Sequence, residues 1–133
     1  MTLNQRGSIT IETLLLVPAM FIFGTFVIYV GRMTDATLTV RRAADVAARV
    51  ASESNSQIAA SRGTRIARQE MSLLKSGCDS SDIDVRRVFL NEQTTYEVRV
   101  QCTINIRGLG LLAIAPRSVS AESSEIVDQY TSR

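Results

Sequence analysis

The sequence predicts an α+β protein: a long N-terminal helix (membrane half plus domain half), a second antiparallel helix, and a small antiparallel sheet of about three strands. Three observations support this fold class. Residues 13–31 form an uncharged, mostly apolar run, and residues 36–51 and 59–74 repeat apolar side chains every three to four positions. Residues 83–89, 96–107 and 117–121 then largely alternate apolar and polar side chains. A helical period followed by a period of two is typical of α+β domains.

The uncharged run from Thr13 to Gly31 is long enough to cross a membrane. As a helix it would measure roughly 28 Å, about the thickness of the hydrocarbon core of a bilayer. Beyond this run, small apolar side chains recur at spacings of three and four as far as Ala51. This stripe extends the predicted helix, which then runs from Ser8 to Ser52. Its first half would lie in lipid and its second half would support an outer domain.

A second helix is predicted from about Gln57 to Lys75, after a polar break at residues 52–56. Lys75 in the last turn and Gly77 just after it are typical of a helix C-terminus. Because the break is short, the two helices are expected to form an antiparallel hairpin.

Three strands are predicted after Cys78. The first places Ile83, Val85 and Phe89 on one row, and a turn at residues 91–94 follows it. From Tyr96 to Arg107 apolar and polar residues alternate without error, which predicts a half-buried strand. A third strand is predicted at residues 117–122, with Val119 and Ala121 inward.

The connection between the last two strands is unusually apolar. Its large side chains are Leu109, Leu111, Leu112 and Ile114. Two interpretations stay open: these residues form a contact patch for another subunit, or they cover the open end of the core.

Composition narrows the classes of function. The 133 residues suit one domain plus an anchor, and the net charge of +2 is too balanced to imply nucleic acid or acidic lipid as a main partner. With two cysteines and no histidine, the chain has no Cys/His zinc site of usual spacing and no catalytic histidine. It has no phosphate loop and no nucleophile elbow. We therefore expect no enzyme, no cofactor and no metal.

Six arginines raise the alternative of DNA binding. They are Arg41, Arg42, Arg49, Arg62, Arg65 and Arg68. Aromatic residues are not interleaved with them, and acidic residues lie nearby. A solvated helix face with pairs such as Asp45–Arg49 is the favoured interpretation, so no nucleic acid is expected.

Glu12 is a charged residue near the N-terminal end of an otherwise apolar helical segment. A carboxylate deep in lipid costs about 2.5–3.5 kcal/mol on insertion scales, and less near an interface. A cation from another chain is the expected compensation.

The residues around Glu12 resemble the precursors of type IV pilin-like proteins: Gly7 precedes Ser8, Glu12 is fifth when counted from Ser8, and an apolar helix follows. The pattern continues through Pro18, through Gly31-Arg32 and through the Ala/Arg-rich residues 41–49. This longer pattern resembles the TadE-like minor pseudopilins of tight-adherence pilus systems. The resemblance covers residues 6–52. The leader departs from many pilin leaders in having a single basic residue, Arg6.

The resemblance implies a prepilin peptidase that cuts between Gly7 and Ser8, and a Glu12 that interacts with the new N-terminal amine of a neighbouring subunit. The domains would be a leader at 1–7, a transmembrane helix at 8–31 and an extracytoplasmic pilin-like domain at 32–133. The expected partners are the membrane, other pilin or pseudopilin subunits and the pilus assembly machinery. We expect a single-pass protein of the bacterial cell membrane, with its N-terminus cytoplasmic and its C-terminal domain outside. Incorporation in a surface pilus is compatible with this expectation.

An exported domain with two cysteines predicts a disulfide between Cys78 and Cys102. It would be worth about 3 kcal/mol in the chain-entropy model. Two free buried thiols are the alternative.

Two other functions stay open. One is an unprocessed single-pass anchor whose outer domain binds a ligand, and the other is a pseudopilin of a secretion or competence machine. A minor rather than a major pilin is expected, because major pilins of the tight-adherence type are usually much shorter.

Overall fold

The computed structural model describes residues 8–73, 78–90, 92–104 and 115–127. Its elements are α1 (Ser8–Ser52), α2 (Ala59–Ser72), β1 (Cys78–Leu90), β2 (Gln93–Ile104) and β3 (Ser118–Ile126). The strands form one antiparallel sheet in the order β1-β2-β3. The α+β prediction of a long first helix, a second helix and three strands is confirmed.

The chain divides into two compact units, which we call unit 1 (Met1–Arg32) and unit 2 (Met33–Arg133). The described part of unit 1 is the first part of α1, and its large side chains are exposed; Leu14, for example, is 74% exposed. Unit 2 contains the rest of α1, α2 and the sheet. A hydrophobic core is therefore a property of unit 2 among the described residues.

Small side chains line the buried stripe of α1 in unit 2. They are Ala36, Val40, Ala43, Ala44, Ala47, Ala48 and Ala51, each 1% exposed or less. Against them pack α2, through Ala59, Gly63, Ala67 and Met71, and the inner row of β2, which is Tyr96, Val98, Val100, Cys102 and Ile104. The spacing of four in α2 and of two in β2 buries one face of each element. The inner row predicted for β2 is confirmed over its described residues.

The helix α2 approaches α1 closely at Gly63. A methyl group at this position would lie 3.3 Å from the carbonyl oxygen of Ala47 and 3.4 Å from Cβ of Ala51. On the same pair of helices, Nε of Arg42 lies 3.3 Å from a carboxylate oxygen of Glu70. The later residue of α2, Glu70, therefore meets the earlier residue of α1, Arg42. The two helices are antiparallel, as predicted.

The start of α2 is later than predicted, at Ala59 instead of Gln57. The reason is a turn in which the side-chain oxygen of Asn55 accepts a hydrogen bond from the backbone N–H of Gln57 at 3.2 Å. The carbonyl of Asn55 also accepts from the N–H of Ile58 and of Ala59. These bonds hold residues 55–58 in a turn before the helix begins. The predicted C-terminal residues Lys75 and Gly77 lie outside the described residues.

The hairpin between β1 and β2 is tighter than the predicted turn at 91–94. Leu90 pairs with Gln93, so two residues connect the strands, and Glu92 has a positive φ of 64°. The strand β1 is also longer than its apolar row, because Ser80 to Asp82 pair with residues 101–103 of β2. Backbone pairing with β2, which needs no apolar side chain, extends β1 to Cys78.

Phe89 belongs to the row that is predicted to point inward, but its side chain is 72% exposed. Phe89 pairs with Thr94, and this pair lies two residues closer to the hairpin turn than the pair of Arg87 and Tyr96. Tyr96 is the last buried residue at this end and clusters with Ala51, next to the end of α1 at Ser52. The helix therefore ends before it reaches the row of Phe89. Val119 and Ala121 of β3 pack against the core as predicted, whereas the apolar connection at 109–114 lies outside the described residues.

Candidate processing and assembly site

The described part of α1 includes Ser8, the residue that follows the predicted cleavage bond. Gly7 lies outside the described residues, so the structure describes one side of that bond. Glu12 lies four positions after Ser8 on the same helix, which places its Cα about 6 Å further along the axis. Its side chain is exposed. A carboxylate one turn from the start of the helix is therefore available to a group on another molecule.

The apolar side chains after Glu12 are exposed on all sides of α1. They include Leu14, Leu15, Leu16, Val17, Met20, Phe21, Ile22, Phe23, Phe26, Val27, Ile28 and Val30. Among the described residues, α1 is the one helix long and apolar enough to cross a membrane, and it lies near the N-terminus. Exposed leucines and phenylalanines in such numbers are unfavourable in water and favourable in lipid. By this criterion the segment is a candidate membrane span.

The hydroxyl of Thr25 is hydrogen-bonded within its own helix. The hydroxyl of Thr25 donates to the carbonyl oxygens of Phe21 and Ile22, at 3.0 and 2.8 Å. In lipid a hydroxyl without such a partner would be costly, because no water is present to replace it. Pro18 lies inside the helix and has no N–H to donate to the carbonyl of Leu14.

Cys78 and Cys102 are joined in a disulfide, with their Cα atoms 5.5 Å apart and a sequence separation of 24. The strand register explains the proximity: Cys78 is opposite Ile104, and an irregularity follows between Cys78 and Ser80. Cys102 is fully buried in the inner row of β2. The bond thus fastens the start of β1 to the middle strand of the sheet. Its formation in the exported protein stays a prediction.

Two arginines of the helices, Arg42 and Arg49, form ion pairs with nearby carboxylates. Nε of Arg49 lies 3.2 Å from Oε1 of Glu53, so Glu53 rather than the predicted Asp45 is its partner in the structure. Arg42 contacts Glu70 across the two helices. These pairs at the surface lower the local positive charge, which agrees with a solvated helix face.

The sheet face turned away from the helices carries both signs of charge. An open cleft there is lined by Asp84, Arg86, Glu97, Arg99 and Glu122. Arg99 pairs with Glu122 at 3.1 Å, and Arg86 pairs with Asp84. Within the described part of the chain no group of three or more metal-binding side chains occurs, and no buried side-chain nitrogen or oxygen lacks a hydrogen-bond partner. These residues have the character of a solvated polar surface.

Comparison with known proteins bears on the N-terminal part of the chain. Residues 7–49 match the model of the TadE-like protein family. The resemblance seen in the sequence is thereby confirmed over Gly7, Ser8, Glu12 and most of α1. No curated protein and no solved structure gave a match. The match is limited to the N-terminal part of the chain, so α2 and the sheet lie outside it.

Two features that shape unit 2 have no signal in the sequence pattern. Glu70 lies on a different helix from Arg42, and spacing within one helix does not reveal a pair across two. Gly63 falls within the predicted apolar row of α2, but the row does not show that α1 approaches closely there.

Proposed function

We propose that this chain is a minor pilin or pseudopilin that a prepilin peptidase cuts between Gly7 and Ser8, and that then takes part in assembling a tight-adherence pilus. The observation that supports this proposal is the TadE-like match over residues 7–49. The match begins at the glycine of the proposed cleavage bond and includes Glu12.

Cleavage would create the partner that Glu12 needs. Before cleavage, Ser8 contributes an amide to the backbone; after cleavage, it carries a positively charged amine. In a medium of low dielectric constant, an ion pair between this amine and Glu12 of a neighbour is strong, and an unpaired carboxylate is costly. Glu12 would therefore favour one axial register between adjacent subunits, and only processed chains would meet the requirement.

The remaining parts of the chain would have structural roles in this proposal. The exposed apolar part of α1 anchors the subunit, with the N-terminus cytoplasmic and unit 2 outside. The disulfide between Cys78 and Cys102 suits an oxidising compartment. No enzymatic activity and no cofactor are proposed.

Processing is the experiment that tests this function. The full chain is expressed with and without a prepilin peptidase, and the intact mass of the membrane-extracted protein is measured. We expect the peptidase to remove Met1–Gly7 and to leave Ser8 as the N-terminus. Gly7→Leu is the matched control; it should stay uncut, because a bulky side chain is placed next to the cleaved bond. Ile9→Leu, also near that bond, should be cut normally.

An uncut wild-type chain beside a peptidase that cuts a known pilin in the same cells would contradict the proposal. That result would instead favour a single-pass protein whose outer domain binds a ligand. A pseudopilin of a secretion or competence machine would be cut in the same way, and its partner pilins would distinguish it.

A further inference from the structure

The strand β3 leaves one of its edges open among the described residues. It pairs with β2 on one side in an unbroken register, and no other described strand lies on its other side. The N–H of Val127 donates to the carbonyl of Thr94, and the carbonyl of Arg117 accepts from the N–H of Ile104. Because backbone groups alternate between the two sides of an antiparallel strand, the odd-numbered residues of β3 face β2. Its even-numbered residues therefore turn their N–H and C=O groups to the open side.

The open edge of β3 lacks several of the features that keep other molecules away from edge strands. It contains no proline, lysine or arginine, and its pairing with β2 shows no bulge. Native proteins commonly protect edges with such residues, with bulges or with a covering helix. The opposite edge of the sheet, β1, has an irregularity between Cys78 and Ser80 and carries Arg86 and Arg87. The edge that remains to be covered is therefore β3.

The helix α2 carries three arginines on its exposed side. Its buried side is formed by Ala59, Gly63, Ala67 and Met71. Arg62, Arg65 and Arg68, which we call the arginine face, lie on the opposite side and form no ion pair with a described carboxylate. Glu70, the one acidic residue of α2, pairs with Arg42 of α1 instead. Because like charges one turn apart repel each other, an anion is the partner that the arginine face favours.

Carboxylates lie along the open edge of β3. Glu122 and Glu125 are both exposed, and Asp45 of α1 lines a polar cleft beside this edge. Glu122 pairs with Arg99 of β2 at 3.1 Å, and Arg41 lines the same cleft as Asp45. Neither Glu125 nor Asp45 forms an ion pair with a described residue. The edge therefore offers carboxylates and outward-facing backbone carbonyls, both of which accept hydrogen bonds from arginine.

The arginine face and the β3 edge lie on opposite sides of unit 2. A methyl group at Gly63 of α2 would lie 3.6 Å from Cγ2 of Val85, so α2 packs on β1. The strands β1 and β3 are the two edges of the sheet, with β2 between them. A contact between the arginine face of one copy and the β3 edge of another therefore leaves one surface of each kind free. Unlike surfaces of this kind join copies head to tail and not in a closed two-fold pair.

The two surfaces also match in level. The start of α2 clusters with Tyr96, and Tyr96 pairs with Glu125 of β3. One helical turn later, Gly63 lies beside Val85, whose row across β2 reaches β3 at Ser123. Two residues of a helix and one residue of a strand both advance about 3 Å. The helix α2 and the strand β3 therefore stay level with each other while they run in opposite chain directions.

This correspondence places the arginines level with the carboxylates. Arg65 is about 3 Å beyond Gly63 on α2, and Glu122 is about 3 Å beyond the residue of β3 at that level. Arg65 and Glu122 are therefore level with each other, and Arg62 lies between the levels of Glu122 and Glu125. Two copies that stand side by side without an axial shift bring both arginines against both carboxylates.

We propose that unit 2 joins a second copy of this chain head to tail, with the arginine face of one copy covering the open β3 edge of the next. The arginines donate to Glu122, to Glu125 and to the outward-facing carbonyls of β3, and the covering helix closes the edge to other strands. This inference adds a contact between subunits to the proposed function. It requires neither cleavage after Gly7 nor the carboxylate of Glu12, because both surfaces belong to unit 2.

The test uses two forms of the full chain that carry different affinity tags and are expressed together without a prepilin peptidase. One form carries Arg65→Cys and the other carries Glu122→Cys, and the native disulfide is left intact. A short bis-maleimide reagent is added to isolated membranes, and cross-linked products that contain both tags are quantified. Arg49→Cys paired with Glu122→Cys is the matched control, because Arg49 is an exposed arginine outside the arginine face. Parent chains without an introduced cysteine report any reaction of Cys78 and Cys102.

We expect the Arg65→Cys and Glu122→Cys forms to give severalfold more product than the control pair. Adding Arg62→Glu to the first form should reduce the product severalfold, because a carboxylate then faces carboxylates. Adding Glu125→Arg to the second form should restore the product, which would also show that unit 2 stays folded in the Arg62→Glu chain.

Equal amounts of product from the test pair and the control pair would overturn the inference. A product that Arg62→Glu does not reduce, or that Glu125→Arg does not restore, would overturn it as well. A dominant product between two chains that both carry Glu122→Cys would do the same, because two β3 edges would then face each other. Since no peptidase is present, these outcomes leave the proposed cleavage untouched, and the intact mass tests that cleavage separately.

Discussion

The parts of α1 before and after Arg32 both carry many apolar side chains, and these differ in size and in exposure. Before Arg32, large side chains such as Leu14 and Phe21 are 74% and 73% exposed. After it, the buried stripe consists of alanines and one valine, Val40, all 1% exposed or less. The two parts also differ in charge, because residues 13–31 have no charged side chain and residues 33–52 have five. The difference in size has a separate reason: a lipid chain adapts to large side chains, whereas a helix that packs closely on a second helix and a sheet needs small ones.

The close packing has a geometric cause. Where Gly63 of α2 faces Ala47 and Ala51 of α1, the space left for one further methyl group is already tight. Close approach of the elements increases the number of dispersion contacts, although each alanine contributes little apolar area. The second part of α1 therefore stabilises unit 2 through close packing of small side chains. The first part would instead favour lipid through the large apolar area of its exposed side chains.

The same acidic substitution in each part should break a different property, and this is the largest effect that we expect. Ala44→Asp places an unpaired charge in the core of unit 2, at a cost of several kcal/mol. It should therefore lower the midpoint of urea unfolding, which is measured by circular dichroism on the detergent-solubilised chain. Ala19→Asp, in the exposed apolar part, should leave that midpoint unchanged. It should reduce membrane insertion by about 2.5–3.5 kcal/mol, measured as the membrane-bound fraction. An unchanged midpoint for Ala44→Asp would contradict the assigned core.

Removal of the disulfide should affect unit 2 alone. Replacing Cys78 and Cys102 by alanine should lower the free energy of unfolding by about 3 kcal/mol, because the unfolded chain gains the entropy of an open loop. Urea unfolding with and without reductant measures this effect. Reductant should destabilise the wild type and leave the double variant unchanged. Two thiols that alkylate freely in the native, exported wild type would show that the bond does not form.

Gly63→Val should test the close approach of the helices. The added side chain meets the backbone oxygen of Ala47, which has little freedom to move, and overpacking of this kind costs about 1–3 kcal/mol. Gly31→Val is the control, because nothing lies within 4 Å of a methyl group there. Thermal unfolding of both variants in the same detergent compares them. Equal melting temperatures for the two would show that α2 has room to move away from α1.

Much of this fold is predictable from the sequence because its periods are regular. The uncharged run and the alanine stripe give α1 from Ser8 to Ser52, and the alternation after Tyr96 gives β2. The start of β1 is less predictable, because Ser80 to Asp82 are held by backbone pairing with β2 and carry no apolar period. The exposure of Phe89 depends on where α1 ends relative to the sheet, which is a tertiary property.

The candidate site is predictable in part for a related reason. The order Gly7, Ser8, Glu12 and then an apolar helix is local, so the sequence contains it in full. The proposed partner of Glu12 belongs to another chain, so the sequence of this chain contains the acid but not the group that would pair with it. In the same way, the partner of Arg49 is a choice between Asp45 and Glu53 that the i,i+4 spacing allows in both directions.

Recovery of partner pilins with Glu12→Gln tests the central claim, that this chain assembles through a processed N-terminus, most directly. The variant keeps the size of Glu12 and loses its charge, so we expect normal membrane insertion and normal cleavage with a loss of partner pilins in pull-downs from detergent extracts. Glu53→Gln, which removes an exposed carboxylate in unit 2, should recover partners like the wild type. Gly7→Leu should lose partners as Glu12→Gln does, because no free amine forms. Equal partner recovery and normal piliation for the wild type and Glu12→Gln would contradict the account.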